Sequence, residues 1–462
     1  MIGAGPAGLA AGYELSKHGV QVEIYEASAY VGGMARSIEV LGQIVDCGPH
    51  RFFTKHPLVK GYFEEIIGED YVKVRRLTRI YYRDRFFDYP LKLSNVIKHL
   101  SIAEIIKILG AYAYQKLFPQ KNPNTLEAWV TNKFGKELYN IFFKNYSEKL
   151  WGIPCSRIDA DWAAQRIKSL SLWEAAKQVL SLNKNEKHHS LIEQFDYPKL
   201  GSGMLYEKAK QEILKRGGRI HLNTPIHSLL VEENTIKGVR LKNGNEVGAE
   251  HVISTMPLTT LIKSIESLPE NVKHAANQLF FRNTILVYLE VNSDQLFEDN
   301  WIYVHSPEVK HGRVTNFRNW SPYLYGEKKT TILCMEFWTF TEEELWKEKE
   351  ENLINLAKKE LFQTKLLPPD TYVLGAEVLR IPKCYPVYEV GYKEHLQRIK
   401  TYLNQFESLS LIGRYGAFKY NNQDHSILMG ILAAQNLLGK QNVSLWELNS
   451  DQEYQEEDFG KS

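Results

Sequence analysis

The chain opens Met1-Ile2-Gly3-Ala4-Gly5-Pro6-Ala7-Gly8-Leu9, with three glycines spaced so that a strand can turn sharply into a helix. Gly3 permits the tight turn, and Gly8 lets helix and strand pack closely. Gly5, with Pro6 and Ala7 beside it, brings bare backbone within reach of a pyrophosphate. A helix N-terminus placed there offers N–H groups and the positive end of its dipole to phosphate oxygens. Val20 to Glu26 then alternates apolar and polar residues as a second strand should. Glu26 closes that strand 18 residues after Gly8, where a carboxylate can accept both hydroxyls of a ribose. Strand, helix, strand and acid fall in register, which a chance run of glycines would not give.

Directly after comes Ala29-Tyr30-Val31-Gly32-Gly33-Met34-Ala35-Arg36-Ser37. This run resembles the glycine doublet of FAD-dependent amine oxidases and their relatives, in which the pair lies against the flavin diphosphate. The resemblance implies FAD rather than NAD, with Gly32, Gly33, Met34, Ala35 and Arg36 at the cofactor. No second GxGxxG follows, so NAD(P)H is expected only as a transient reductant.

These residues need a scaffold, and the sequence shows the chain returning to it. Lys199 to Met204 reads as a turn into a helix, and Gly217-Gly218-Arg219-Ile220 starts a strand. Val231 to Val247 reads as a hairpin with Asn243-Gly244 at its turn. His251 to Pro257 is a buried strand, and Leu409 to Arg414 leads into a helix from about Asp424 to Leu438. Between the returns, helical periodicity covers Asn95 to Gln115, Thr125 to Lys149 and Ala160 to Ser181, whereas strand-like runs cover Asn283 to Val291 and Thr330 to Trp338. The expected fold is α/β: a discontinuous Rossmann-type FAD-binding domain (1–70, 195–262 and 405–445), a helical domain (91–194) and an antiparallel β-sheet substrate domain (71–90 and 263–404). A cleft is expected between these parts and the flavin. The tail, 446–462, is acidic and expected to be disordered. Only Met1 and Ile2 precede the first glycine, whereas a central strand ordinarily takes about five residues. Either the start is placed too late or a few residues are missing upstream; as written, the first strand is short and should weaken the fold.

At 462 residues the chain is long enough for two or three domains. The net charge of +2 gives no reason to expect a nucleic-acid partner. Four scattered cysteines suggest neither zinc nor disulfides and fit a reducing cytoplasm. No apolar window is long enough to span a membrane, and no leader peptide is recognisable. The stretch from His99 to Phe118 is amphipathic, fitting either an ordinary core-facing helix or one lying on a membrane surface. Aromatic residues reach 12%, with 26 Tyr, which suits either an aromatic-lined cleft or a Tyr-rich core.

Four further segments together resemble the UDP-galactopyranose mutase family, and the likeness runs from Ile2 to about Leu438. They also look like the bacterial flavoproteins called protoporphyrinogen oxidase-like. The first is Asp46-Cys47-Gly48-Pro49-His50-Arg51-Phe52-Phe53. In the mutases a Gly-Gly-His stretch lies against the isoalloxazine, which implies that His50 sits by the reactive flavin edge. Here Pro49 replaces the second glycine and restricts Gly48, opposing any redox-linked flip of this loop. The second, Trp151-Gly152-Ile153-Pro154 followed by Asp161 to Arg166, implies that Arg166 grips the nucleotide diphosphate. Arginine suits that task because its planar fork bonds phosphate bidentately. The third, Trp301-Ile302-Tyr303 then Gly312 to Pro322, implies Arg313 as the second half of the clamp, with Arg318 an extra cation.

The fourth, Gly413-Arg414-Tyr415-Gly416-Ala417-Phe418-Lys419-Tyr420-Asn421-Asn422-Gln423-Asp424-His425-Ser426, is the most specific. By resemblance, Gly413, Arg414, Asp424, His425 and Ser426 belong to the flavin site, Tyr420 to the diphosphate and Asn422 to the sugar. Two residues fewer separate Tyr420 from Asn422 than in eukaryotic mutases. Tyr385 resembles a further diphosphate tyrosine, and Tyr89-Pro90 a pocket segment. The implied activity is pyranose–furanose isomerisation of a UDP-galactopyranose-like nucleotide sugar by reduced FAD. In that chemistry His50, Arg166, Arg313 and Asn422 position and stabilise, and no acid–base dyad is needed. The alternatives are an FAD-dependent oxidoreductase of the amine oxidase type and a flavin-bound partner subunit without turnover. The oligomeric state stays open.

Overall fold

A computed structural model describes residues 1–89, 91, 93–162 and 194–448. Most of the expected helix from Ala160 to Ser181, and nearly all of the acidic tail, lie outside the described residues. The glycine-rich opening leaves a parallel sheet centred on the shortest strand possible. Ile2 alone bridges in parallel to both Tyr25 and Ser254. Outside it, Glu23–Tyr25 pairs with Arg219–His221, and Val252–Ser254 pairs with Leu409–Leu411. Four backbone hydrogen bonds of 2.8–2.9 Å secure this single residue's neighbourhood, from Ile2 N to Ile253 O, Gly3 N to Tyr25 O, Tyr25 N to Met1 O and Thr255 N to Ile2 O. The short first strand is therefore fully paired on both sides.

The helix Pro6–Lys17 leaves that strand at once, with Pro6 in the first turn, where its missing N–H costs nothing. A Cβ at Gly8 would lie 2.1 Å from the Gly3 carbonyl oxygen, which is the close helix–strand approach the glycine spacing predicts. The helix Gln423–Leu437 is buried from Asp424 to Ala434 and apolar from Ile427 to Ala434, where it packs against Pro6–Lys17 inside the fold.

The expected hairpin around Asn243-Gly244 is the second of two. Ile226–Glu232, Thr235–Leu241 and Glu246–Gly248 form a three-stranded antiparallel meander. The larger sheet has seven strands in the order Val373–Pro386, Phe281–Val291, Thr331–Thr339, Arg313–Asn316, Trp301–Val304, Thr78–Tyr82 and Arg85–Asp88. It is antiparallel except where Trp301–Val304 runs parallel to Thr78–Tyr82, so the sheet is mixed. Phe281–Val291 is covered on both faces: Ile285, Val287, Leu289 and Val291 meet Leu353, Ala357 and Leu361 of the helix Glu350–Gln363, while Leu286 and Tyr288 join the main core. Alternate side chains of a strand point to opposite faces, and both faces here are filled.

Asp46 ties the parts together. Fully buried at the end of the hairpin Ser37–Val40/Gln43–Asp46, it accepts from Ser37 Oγ at 2.6 Å, Tyr197 Oη at 2.7 Å and Ser202 N at 3.1 Å. Burial still raises its pKa to about 7, against the lowering effect of those donors.

The helical region differs from its expected outline in two places. Two helices, Leu93–His99 and Ile102–Leu117, replace a single one, because Ser101 and Glu104 form a reciprocal capping box that starts the second. Further on, Leu126–Phe134 ends at Gly135, and Lys136–Tyr139 passes through a π-helical turn, Asn140–Lys144, into Asn145–Trp151.

Candidate active site

One cleft gathers most of the residues singled out in the sequence. Gly5, Pro6, Ala7, Gly33, Met34 and Ala35 form its glycine-loop end. His50, Tyr89, Arg313, Tyr385, Gly413, Arg414, Tyr420, Asn422, Asp424 and Ser426 line the rest. Gly3, Gly8, Glu26, Gly32, Arg36 and His425 lie behind or beside this wall rather than on it. Arg166 lies outside the described residues.

The glycine-loop end is shaped by backbone. Gly33 takes φ +55°, and a Cβ there would stand 3.3 Å from the Cα of Gly5, so the two glycine loops press together with no side chain between them. Glu26 is held ready by two backbone donors, Ala4 N and Ser28 N, each at 2.8 Å and each to a different carboxylate oxygen. Arg36 Nη1 donates to the Gly33 carbonyl at 2.9 Å and braces the second loop.

At the far end, Arg414 donates from Nε to the Cys384 carbonyl at 2.9 Å and from Nη1 to the Asn421 carbonyl at 3.0 Å. Its guanidinium lies 4.6 Å from the ring centre of Tyr385 and 4.3 Å from that of Tyr420, and the two rings are themselves stacked. Arg414 Nη2, Arg36 Nε, Tyr415 Oη and Trp301 Nε1 are buried without a hydrogen-bond partner among the described residues. Unsatisfied buried donors are costly, so a cluster of them beside a glycine cradle calls for a ligand rich in acceptors. A flavin dinucleotide, with ring carbonyls, ring nitrogens and a diphosphate, meets that requirement.

His50 is held neutral. Burial and the nearby Arg313 lower its pKa to about 3, and its Nδ1 lies 3.0 Å from the Gly48 carbonyl. A carbonyl only accepts, so the proton sits on Nδ1 and Nε2 keeps its lone pair. Gly48 adopts φ +97° before Pro49, a conformation that glycine tolerates and that leaves the loop closed on its own histidine. The loop is pinned again by Gln423, which donates from Nε2 to the carbonyls of His50 at 3.1 Å and Arg51 at 2.8 Å, while its Oε1 accepts from Tyr206 Oη at 2.6 Å. Asn422 is the N-cap residue of the helix Gln423–Leu437, and its backbone N–H donates to His425 Nδ1 at 3.3 Å.

Arg313 is not a bare cation. Strand register sets it directly opposite Glu336, and the two form a bidentate pair with Nε–Oε1 at 2.5 Å and Nη2–Oε2 at 2.6 Å. Glu336 is 2% exposed and Arg313 16%, so only Nη1 is left for a ligand. Arg318 turns away, donating to the carbonyls of Lys328 and Thr330 and stacking on Tyr325. It is a structural arginine.

The sequence motifs did not disclose Glu336, Arg76 or Gln423 as site residues. Arg76 lines the cleft 5.3 Å from the Tyr89 ring, which in turn meets Tyr303 at 5.1 Å. A signal for Glu336 existed: it is the one charge in the otherwise uncharged strand Thr331–Thr339.

The family model of flavin containing amine oxidoreductases matches residues 6–438. The chain belongs to the flavin-containing amine oxidoreductase family. Among curated relatives, it is 26% identical over 357 residues to a 4,4'-diapophytoene desaturase of Methylomonas sp., covering 69% of this chain and 65% of that protein. It is 26% identical over 169 residues to a probable UDP-galactopyranose mutase of Klebsiella pneumoniae, covering 35% of this chain and 42% of that one. These matches span less than two thirds of either relative's own length. In architecture, the crystal structure of a reduced UDP-galactopyranose mutase superposes with a TM-score of 0.86 at 22% identity, covering 97% of both chains. A putative protoporphyrinogen oxidase from Exiguobacterium superposes at 0.71 with 18% identity, over 95% of this chain and 98% of that one. This amine oxidoreductase family member thus has the flavin-binding fold common to both groups.

Proposed function

We propose that the protein is a flavin-dependent mutase of a nucleotide-diphosphate sugar, isomerising the sugar ring of a UDP-galactopyranose-like substrate. The observation that carries this reading is the make-up of the cleft beyond the flavin end. Arg313 and Arg76 stand among the tyrosines Tyr89, Tyr303, Tyr385 and Tyr420, a lining that offers cations to a diphosphate and phenols and ring faces to a nucleoside and a polyol. An apolar or amine substrate has no use for such a set. Reduced flavin, when bound, supplies the nucleophile for the anomeric carbon, with NAD(P)H as a transient source of electrons. Arg313 Nη1 and Arg76 would hold the departing diphosphate close enough to return. Neutral His50 would present a lone pair rather than a positive charge at the flavin edge, and Arg166 would complete the clamp. The protein's contribution is then positioning and charge stabilisation rather than proton transfer.

A second reading has one observation in its favour. Glu336 neutralises Arg313, which weakens the positive field a diphosphate would seek and suits an oxidoreductase acting on an uncharged substrate.

Incubation of the flavin-loaded protein with UDP-galactopyranose, with and without dithionite, followed by chromatography, tests the choice. A new UDP-sugar isomer that forms only with reduced protein is the expected result. Absence of any isomer, together with flavin bleaching by an amine, alcohol or polyene substrate, would overturn the mutase reading in favour of the oxidoreductase.

A further inference from the structure

The helix Ile102–Leu117 is apolar on both of its sides. Inward, Ile105 and Ile108 pack against the core and Gln115 is buried. Outward, Ile102, Ile106, Leu109, Ala113 and Leu117 recur at i, i+4, i+7, i+11 and i+15, which places them in one stripe. They face solvent: Ile102 is 78% exposed, Ile106 64%, Leu109 59% and Leu117 74%. Tyr114 and Phe118, each 63% exposed, extend the stripe at its C-terminal end. A helix of this length runs about 24 Å, so the stripe far exceeds the scattered apolar residues of an ordinary surface.

The charges beside the stripe are of one sign. Lys107 and Lys116 fall on its opposite edges, and Lys98 and Lys121 stand exposed near its two ends. Glu104 is the only acid between residues 95 and 124. It lies on the inner side, committed to the Ser101 cap and to Arg85 at 3.3 Å.

We propose that this face docks the protein on the surface of a bilayer carrying anionic lipids. An apolar stripe bracketed by lysines matches a headgroup–acyl boundary, where the side chains enter the hydrocarbon and the ammonium groups stay with the phosphates. A second copy of the chain fits less well. A two-fold pair would set cationic edges against cationic edges, and the stripe carries no acid to answer them. The strand Arg85–Asp88 and Tyr89 of the cleft lead directly into this helical region, so docking would fix the mouth of the cleft near the lipid surface.

Co-sedimentation of the flavin-loaded protein with vesicles tests the proposal, using phosphatidylcholine with and without phosphatidylglycerol. Binding is expected only with the anionic lipid, weakened by salt. Ile106→Glu/Leu117→Glu should reduce it more than about tenfold. Lys107→Glu/Lys116→Glu, which leaves the side chains of the apolar stripe in place, should reduce it by about fivefold or more per lysine. Unchanged flavin content and flavin spectrum would show that both variants fold. No binding to anionic vesicles, or equal binding to neutral ones, overturns the proposal. So does a wild-type dimer that Ile106→Glu/Leu117→Glu converts to monomer, because then a second copy covers the face.

Discussion

Replacing Glu336 by Gln isolates the most consequential contact in the cleft. Glutamine keeps the volume and one acceptor, but its NH2 group faces the guanidinium where the second carboxylate oxygen was. One hydrogen bond is lost, and Arg313 is left with an uncompensated charge in a site where it is 16% exposed. Removing one partner of a buried ion pair costs about 3–5 kcal/mol, and the retained acceptor places this change near the lower end. Chemical denaturation of the flavin-loaded protein, followed by flavin fluorescence and circular dichroism, should therefore show a loss of about 3 kcal/mol. The double variant Arg313→Met/Glu336→Gln removes both charges and should recover part of that loss. Under the mutase reading, the single variant should also bind UDP about tenfold more tightly, because Arg313 is released to the diphosphate. An unchanged denaturation midpoint together with unchanged UDP affinity would refute the reasoning. The pair would then be a solvated contact with no hold on either stability or ligand.

Three other outcomes follow from the geometry. Gly33→Ala puts a Cβ at φ +55° and 3.3 Å from the Gly5 Cα, so flavin content per protein, read from absorbance, should fall while the apoprotein still folds. Under the mutase reading, Arg76→Met should weaken UDP binding, measured by titration calorimetry, by about tenfold and leave the flavin absorbance spectrum unaltered. His305 is buried against Tyr146, and burial, reinforced by Lys149, lowers its pKa to about 3. The unfolded chain therefore binds a proton that the folded one refuses between about pH 6.5 and pH 3, and stability is lost as pH falls through that window. His305→Asn should flatten the dependence of unfolding free energy on pH there by about 1.4 kcal/mol per pH unit.

What could be read in the sequence divides along a physical line. The glycine loops were legible because their constraints are local. Gly8 must let the helix pass the Gly3 carbonyl, and Gly33 must take φ +55° against Gly5, whatever the rest of the protein does. Break points in helices are local in the same sense, and Ser101 with Glu104 was a readable start signal. The substrate end is assembled differently. Arg313 and Glu336 are 23 positions apart, and they meet only because two antiparallel strands chose one register; a slip of one residue would put the glutamate on the opposite face. Arg76 reaches the cleft from the turn after Tyr71–Arg75, a strand whose partner, Gln194–Pro198, lies far along the chain. Amphipathicity was likewise visible over His99 to Phe118, but periodicity cannot say which of two apolar sides faces the core.

The division bears on chemistry as well as on prediction. The family implies a flavin and leaves the reaction open, because one fold hosts many chemistries. The reaction is decided where the charge of Arg313 goes. Paired with Glu336 it stays a cation whose field is largely compensated, open to a ligand only through Nη1. A diphosphate that draws Nη1 toward itself must compete with a carboxylate already in place, so binding would be selective for ligands carrying enough negative charge to share the guanidinium. A nucleoside diphosphate does this and a lone phosphate monoester does so less well. Comparison of UDP with UMP on the wild-type protein and on Glu336→Gln therefore tests the pair's role directly. If Glu336 sets the threshold, its removal should narrow the preference for UDP over UMP; equal ratios in the two proteins would mean that the carboxylate only supports the strand.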